Sequence, residues 1–308
     1  MIDFAQIVRE SRPKLRDTSV AAYAMSLKTL APPDAGSLEF LKDTDAVLSR
    51  LDGYKPNTRK NHLNAAVVVL QNSDDPEFKA AVKTYERRRD KYQEEYLDQV
   101  KAHKKTPSQE ANWIEWPDYE AMVSRMGKGV RWTGEATKSQ EMKFQDYLIT
   151  LLHKNFPVRN DFADLRVVTR PQWLAMSDAE QTEYNYYVHG QTFHRFVLNN
   201  YKTSAKYGQR VLEVEDKELL RALRRWLRIN QSAHFLRNRK EAALNSNGIT
   251  KVLGRVGQRE EGKTLGSSIL RHSYLSHKYQ GVDEEKKKDA ALMMHSVATQ
   301  GDYVKTED

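Results

Sequence analysis

Thr192–Leu198 (TFHRFVL), Asn199–Thr203 (NNYKT) and Gln209–Val214 (QRVLEV) form the stretch that decides how this chain is read. Both flanks are rich in β-branched and aromatic side chains, which suit a pleated and half-buried surface. The segment Thr203–Gly208 between them has turn composition. Two strands joined by a turn are therefore expected, with Lys202 at the turn. Elsewhere the periodicity is helical, so the expected fold class is mainly α with a small antiparallel β-sheet.

On the N-terminal side, Thr18 is expected to cap a helix bearing Tyr23, Leu27 and Leu30, stopped by Pro32-Pro33. Pro56-Asn57-Thr58 opens another, with Leu63, Ala66, Val67 and Leu70 on one face. Arg59, Lys60 and Asn61 fall in its first turn, where free backbone N–H groups favour phosphates; read alone, the three suit a solvated face better. Lys79 to Lys105 is a charged run containing Arg87-Arg88-Arg89, expected as a long exposed helix or a linker. Thr106-Pro107-Ser108 breaks it, and a boundary is placed there, giving domains 1–105 and 106–308. In the second part, Trp113–Met126 reads as helix. So does Gln140–Leu152, which offers Met142, Tyr147, Leu148, Leu151 and Leu152 to a core. Leu219, Leu220, Leu223 and Leu227 have helical spacing, as do Ile249, Val252, Leu253 and Val256. A final helical stretch from Ser267 is expected to break near Gly281.

Composition narrows the function. The 308 residues include 50 Lys plus Arg against 42 Asp plus Glu, a formal charge of +8. That balance favours polyanion partners, because each cation placed at a phosphate releases condensed counterions. There is no cysteine, which excludes disulfides, thiolate metal sites and cysteine nucleophiles. No apolar run reaches a membrane span, and the opening MIDFAQIVRESRPKL lacks the apolar stretch of a secretory signal. An intracellular protein without membrane association is expected.

Gly257–Thr264 (GQREEGKT) matches the P-loop pattern by letter. A P-loop needs a buried strand before it and a helix after it. Here the preceding pattern is helical, and Glu260 and Glu261 would oppose phosphate. Nucleotide hydrolysis is therefore rejected. The pairs His272/His277 and His189/His194 lack the i, i+4 spacing that aligns ligands on a helix, so no metal is expected.

Breaking a phosphodiester without metal requires an in-line nucleophile, cations for the equatorial oxygens and an acid for the departing oxygen. Arginine suits the oxygens, since it stays charged and binds phosphate bidentately. Five segments offer these parts in order: Phe156–Asp161 (FPVRND), Asn200–Thr203 (NYKT), Leu270–Tyr274 (LRHSY), His295-Ser296, and Tyr303.

These segments resemble the tyrosine recombinase (phage integrase) superfamily, which includes type IB topoisomerases. Their wording is most similar to integrases of eukaryotic DNA viruses and related mobile elements. The resemblance spans roughly Thr18 to Tyr303. It implies that Arg159 and Arg271 bind the phosphate, that Lys202 is the general acid and that His295 stabilises the transition state. Tyr303 would be the nucleophile, leaving a 3′-phosphotyrosyl intermediate. It further implies a two-domain C-shaped clamp on double-stranded DNA. Residues 1–105 would be a helical, SAM-like core-binding domain, with Arg59, Lys60 and Asn61 as DNA contacts, and 106–308 the catalytic domain. No cofactor, metal or ATP is implied. Expected partners are duplex DNA and three further copies, a homo-tetramer on synapsed sites that is weak or monomeric when free. A viral source would place it in the host nucleus or cytoplasm.

Three positions depart from the family pattern. Ser268 stands where His or Lys is usual, and serine cannot serve as an acid or base near neutral pH; Lys263 or His272 would have to compensate. Phe162 replaces an acidic residue, so Asp161 or Asp164 is expected to hold the first arginine. Five residues follow Tyr303, too few for the helix that relatives dock onto a neighbour. The alternative readings are topoisomerase-like DNA relaxation and a catalytically inactive DNA-binding relative.

Overall fold

In the computed structural model, which describes residues 2–101, 104–131 and 135–293, the chain divides into two units, Met1–Lys105 and Thr106–Asp308. No helix among the described residues is long and apolar enough to cross a membrane.

The first unit is helical. Asp3 caps α1 (Phe4–Ser11) by accepting from the N–H groups of Ala5 at 3.0 Å and Gln6 at 3.1 Å. Helix α2 runs Asp17–Leu30, so Thr18 is not its cap. Asp17 takes the first turn instead, where its carboxylate suits the positive helix end and meets Arg9 at 2.6 Å. Ala31, before Pro32-Pro33, is extended, as a residue preceding proline prefers. A 3₁₀ turn (Leu38–Lys42) and α3 (Thr44–Ser49) lead to α4 (Pro56–Leu70), with proline in its first turn, where the missing N–H costs nothing. Leu63, Ala66, Val67 and Leu70 are all buried, each large side chain contributing about 1.5–3 kcal/mol. The charged run folds as α5 (Pro76–Lys101), which buries Ala81 and Tyr85 against the same core. The Tyr85 hydroxyl donates to the Leu41 carbonyl at 2.7 Å.

The second unit is built around one helix. Helix α6 (Pro107–Asn112) opens on a capping box between Thr106 and Gln109. Trp113 is extended and ends it, so Trp113–Met126 is not one helix; α7 spans Trp116–Gly129. Helix α8 (Lys138–Asn155) also starts on a capping box, Thr137 with Gln140. Every residue from Phe144 to His153 is buried. A helix enclosed all round must satisfy its polar side chains internally. Gln145 pairs with the backbone of Arg237, and Asp146 accepts from Arg255 at 2.7 Å. Thr150 donates to the Tyr147 carbonyl at 2.8 Å.

Among the described residues the sheet has four strands, β1 (Arg166–Thr169), β2 (Tyr186–His189), β3 (His194–Leu198) and β4 (Arg210–Glu213), ordered β1-β2-β3-β4. Strands β3 and β4 pair antiparallel with Val197 opposite Val211, and β2 pairs antiparallel with β3. Strand β1 pairs parallel with β2, so the sheet is mixed rather than antiparallel. Parallel pairing requires a crossover, and helices α9 (Arg170–Ala175) and α10 (Asp178–Glu183) provide it. The β3–β4 connection holds one helical turn, α11 (Ser204–Tyr207), ended by Gly208 at φ +64°. Tyr187, Phe196, Phe235 and Phe162 form an aromatic cluster under the sheet, with ring centroids 4.8–5.4 Å apart.

Helices α12 (Lys217–Ile229), α13 (Ser246–Glu261) and α14 (Ser267–Leu292) follow the sheet. Trp226 of α12 stacks on Phe144 at 6.2 Å. The P-loop-like string is the end of α13 and its cap. Gly262, at φ +65°, closes the helix, and Lys263 donates to the Trp113 carbonyl at 2.6 Å. Its N–H groups therefore face no phosphate, and the lysine is committed to packing. Helix α14 continues through Gly281 without the expected break. An exposed glycine costs a helix only about 1 kcal/mol, which the flanking turns absorb.

Candidate active site

The Arg159 loop joins α8 to β1. Pro157 prevents α8 from continuing, and Val158 donates to the Phe156 carbonyl at 2.7 Å. Asn160 ties the loop to the first turns of α13 by donating to the Ser246 carbonyl at 2.9 Å and the Thr250 hydroxyl at 2.7 Å. Phe162 points into the aromatic cluster and is fully buried, edge-on to Phe196 at 5.1 Å. The position where the family pattern has a carboxylate is therefore a core position in this chain.

Asp161 and Asp164 separate clearly. Asp164 adopts φ +54°, a left-handed conformation that aspartate tolerates, and its N–H donates to the Leu244 carbonyl at 3.2 Å. Burial raises its pKa, and the charge it feels in opposition is that of His234, not of an arginine. Asp161 is also pushed up by burial, opposed by the charge of Arg159, by the Arg159 backbone N–H and by the charge of Arg271. One carboxyl thus senses both guanidinium groups, although the arginines are more than a hundred residues apart in sequence.

Arg271 is held by its neighbours in LRHSY. Leu270 is in the core, Ser273 is buried and donates to the Ile114 carbonyl at 2.6 Å, and Tyr274 meets Trp116 edge-on at 5.0 Å. Those contacts fix the first turns of α14, while Arg271 is half-buried and His272 and Ser268 are exposed on the same helix. Ser268 lies one turn before Arg271, on the same face. Among the described residues, neither the Arg159 nor the Arg271 guanidinium is taken up in a hydrogen bond or an ion pair, although the Arg159 backbone N–H serves Asp161.

Lys202 sits on the turn after β3, exposed. The turn is braced from both ends. Tyr201 donates to the Gly208 carbonyl at 2.7 Å, and Asn199 and Asn200 donate to the Tyr184 and Glu183 carbonyls at 2.6 and 2.7 Å. The side chain of Asn185 then joins this turn to the arginine loop. It accepts from the N–H groups of Asn199 at 2.8 Å and Asn200 at 2.7 Å, and donates to the carbonyls of Asn200 at 3.0 Å and Asp161 at 3.4 Å. Sequence reading passes over Asn185, because an asparagine before a short strand carries no periodic or motif signal.

Asp161 thus lies within reach of the charge of both Arg159 and Arg271, and Asn185 ties its backbone to the root of the Lys202 turn. Such a site can take a doubly contacted anion, with a lysine beside it able to give up a proton. His295 and Tyr303 lie outside the described residues. In the other unit, Arg59 donates to the Tyr54 carbonyl at 2.7 Å and lies over the Tyr92 ring at 5.5 Å. Lys60 donates to Gln93 at 2.9 Å and lies over the Tyr96 ring at 5.4 Å, whereas Asn61 is exposed. Arg59 and Lys60 thus help bind α4 to α5 in addition to any contact outside the chain. No group of three His, Asp or Glu side chains with metal-holding geometry occurs among the described residues.

Comparison with protein-family models, with curated proteins and with solved structures finds no match to this chain.

Proposed function

We propose that the chain is a tyrosine recombinase that cleaves and rejoins duplex DNA through a 3′-phosphotyrosyl intermediate, without metal or ATP. The observation that carries this reading is the pair Arg159 and Arg271, drawn from distant segments, both sensed by Asp161 and neither neutralised by an ion pair among the described residues. Unpaired guanidiniums held in one place are what the equatorial oxygens of a pentavalent phosphate require. The neighbouring Lys202 turn and the order of the five sequence segments support the same reading.

In the reaction proposed, the Tyr303 oxygen attacks phosphorus and its proton leaves to water. The bond from phosphorus to the 5′-oxygen breaks, and that oxygen takes a proton from the Lys202 ammonium. His295 and the two arginines stabilise the charge of the transition state. Rejoining is the reverse, with a 5′-hydroxyl attacking the phosphotyrosine. Residues 1–105 would act as a DNA-binding unit closing a clamp on the duplex, and strand exchange would take place in a tetramer on paired sites.

The test needs no knowledge of the target sequence. Wild type and Tyr303→Phe are incubated with supercoiled plasmid in EDTA and quenched with SDS. The expected result is protein-linked nicks from wild type alone. Equal nicking by both proteins would overturn the assignment of Tyr303. Recombinants between two sites identify a recombinase, while relaxation without recombinants identifies topoisomerase-like activity.

A further inference from the structure

We propose that Asn185 is a positioning residue that holds the arginine loop and the lysine turn in a single geometry. The proposal rests on the reading of Arg159, Arg271 and Lys202 as one phosphate site. A buried asparagine commonly does no more than satisfy nearby backbone, so the choice of partners is what matters here. The Asn185 side chain is 7% exposed and makes four hydrogen bonds, two donated and two accepted, the full capacity of an amide. Three of them go to Asn199 and Asn200, at the root of the turn bearing Lys202. The fourth reaches the carbonyl of Asp161, whose carboxyl senses both arginines. The backbone of Asn185 adds a further tie, since its carbonyl accepts from the N–H of Arg166 at 2.9 Å, where the arginine loop enters β1.

The consequence is geometric. The amide plane is rigid, so a shift of the Asp161 carbonyl must be followed by the Asn200 backbone or a hydrogen bond is lost. Lys202 is exposed, and its own side chain makes no hydrogen bond or ion pair among the described residues, so the backbone of its turn sets its place relative to the arginine loop. A general acid misplaced by an ångström loses much of its effect, while electrostatic attraction of DNA to the surface is almost unchanged. Asn185 therefore acts on the chemical step through Lys202 and Arg159, and not on DNA binding.

The experiment uses the full chain and two variants, Asn185→Ala and Asn185→Asp. Hydrogen exchange is read at the Asn199 and Asn200 amides and at the Ala163 amide, which is bonded to the Asn160 carbonyl within the arginine loop. In Asn185→Ala, exchange should quicken together at both places by about ten-fold, the scale of one net hydrogen bond. In Asn185→Asp the acceptor remains and the donor is lost, so Ala163 should quicken while Asn199 and Asn200 stay protected. Acceleration confined to Asn199 and Asn200 in Asn185→Ala overturns the coupling. With plasmid in EDTA, covalent adduct should form about ten-fold or more slowly in Asn185→Ala, with plasmid retention in a gel unchanged. An adduct rate equal to wild type, or an equal loss of rate and retention, overturns the positioning role. Should wild type form no adduct, the functional reading fails, and the exchange measurement still decides whether the two segments are coupled.

Discussion

Gln145 and Arg237 exchange two hydrogen bonds inside the core: the Arg237 N–H donates to Gln145 Oε1 at 2.9 Å, and Gln145 Nε2 donates to the Arg237 carbonyl at 2.9 Å. Gln145 is fully buried on α8, and its amide stands in for a missing strand neighbour. Replacing it by Leu leaves both backbone groups of Arg237 unpaired away from water. Gln145→Leu is expected to lower unfolding stability by roughly 2–4 kcal/mol, from the cost of about 1–3 kcal/mol per unsatisfied buried group. Urea denaturation checks it; a loss below half a kilocalorie would mean that Arg237 finds other partners.

Two glycines should respond oppositely to alanine. At Gly257 a Cβ would come within 2.6 Å of the Lys263 carbonyl, backbone that cannot move freely, so Gly257→Ala should destabilise by about 1–3 kcal/mol, as overpacking does. At Gly281 nothing lies within 4 Å, and Gly281→Ala should stabilise by about 0.5–1 kcal/mol through helix propensity. Thermal unfolding of both variants checks the pair. Stabilisation by Gly257→Ala would mean that the Lys263–Leu265 segment yields to an added methyl group, and destabilisation by Gly281→Ala that helix propensity does not govern that turn.

The arginines carry a kinetic prediction. Arg159→Ala and Arg271→Ala should each slow covalent adduct formation on the order of 10²–10³-fold, the scale of losing one preorganised donor. Plasmid retention should fall far less, because many surface cations share that task. Adduct formation at wild-type rate by either variant removes that arginine from the site.

A buried histidine sets the acid limit. His194 is 4% exposed, and the Tyr187 hydroxyl lies 2.7 Å from its Nδ1. Burial, aided by the charges of Arg224 and His189, pulls its pKa down to about 4. A base whose folded pKa lies below its unfolded value near 6.5 favours the unfolded chain as it takes up a proton. Its effect on stability is therefore absent above about pH 6.5, and stability is lost as pH falls from there toward 4. His62, His153 and His189 are depressed by burial as well and act in the same direction. Unfolding free energies measured from pH 7.5 to 4 should show this fall, and His194→Gln should make it shallower. An unchanged slope in that variant would assign the acid sensitivity to the other groups.

Much of the helical architecture could be read directly because its signals are local. Pro56 at a first turn, the Leu63–Leu70 stripe and the Ile249–Val256 stripe each lie within one element, and their side chains are buried as their spacing implies. The β3–β4 pair was readable for the same reason. Strands β1 and β2 were not, since four residues are too few to establish a period, and their parallel pairing depends on the α9–α10 crossover. The missed start of α2 and the unbroken α14 are cases where a nominal cap or breaker competed with stronger neighbours.

By itself the sequence determined which residue types could serve a phosphate and in what order they occur, because a guanidinium, an ammonium and a phenol have fixed chemistry wherever they stand. It also determined the helix faces, since i, i+3 and i+4 neighbours meet in any helix. Only the tertiary structure decided that Asp161 and not Asp164 lies within reach of the charge of both arginines, that Phe162 belongs to the core, and that Asn185 joins the Arg159 loop to the Lys202 turn. Those relationships link segments far apart in the chain. They are set by which buried polar groups must find partners once those segments meet, a condition that exists only after they have packed together.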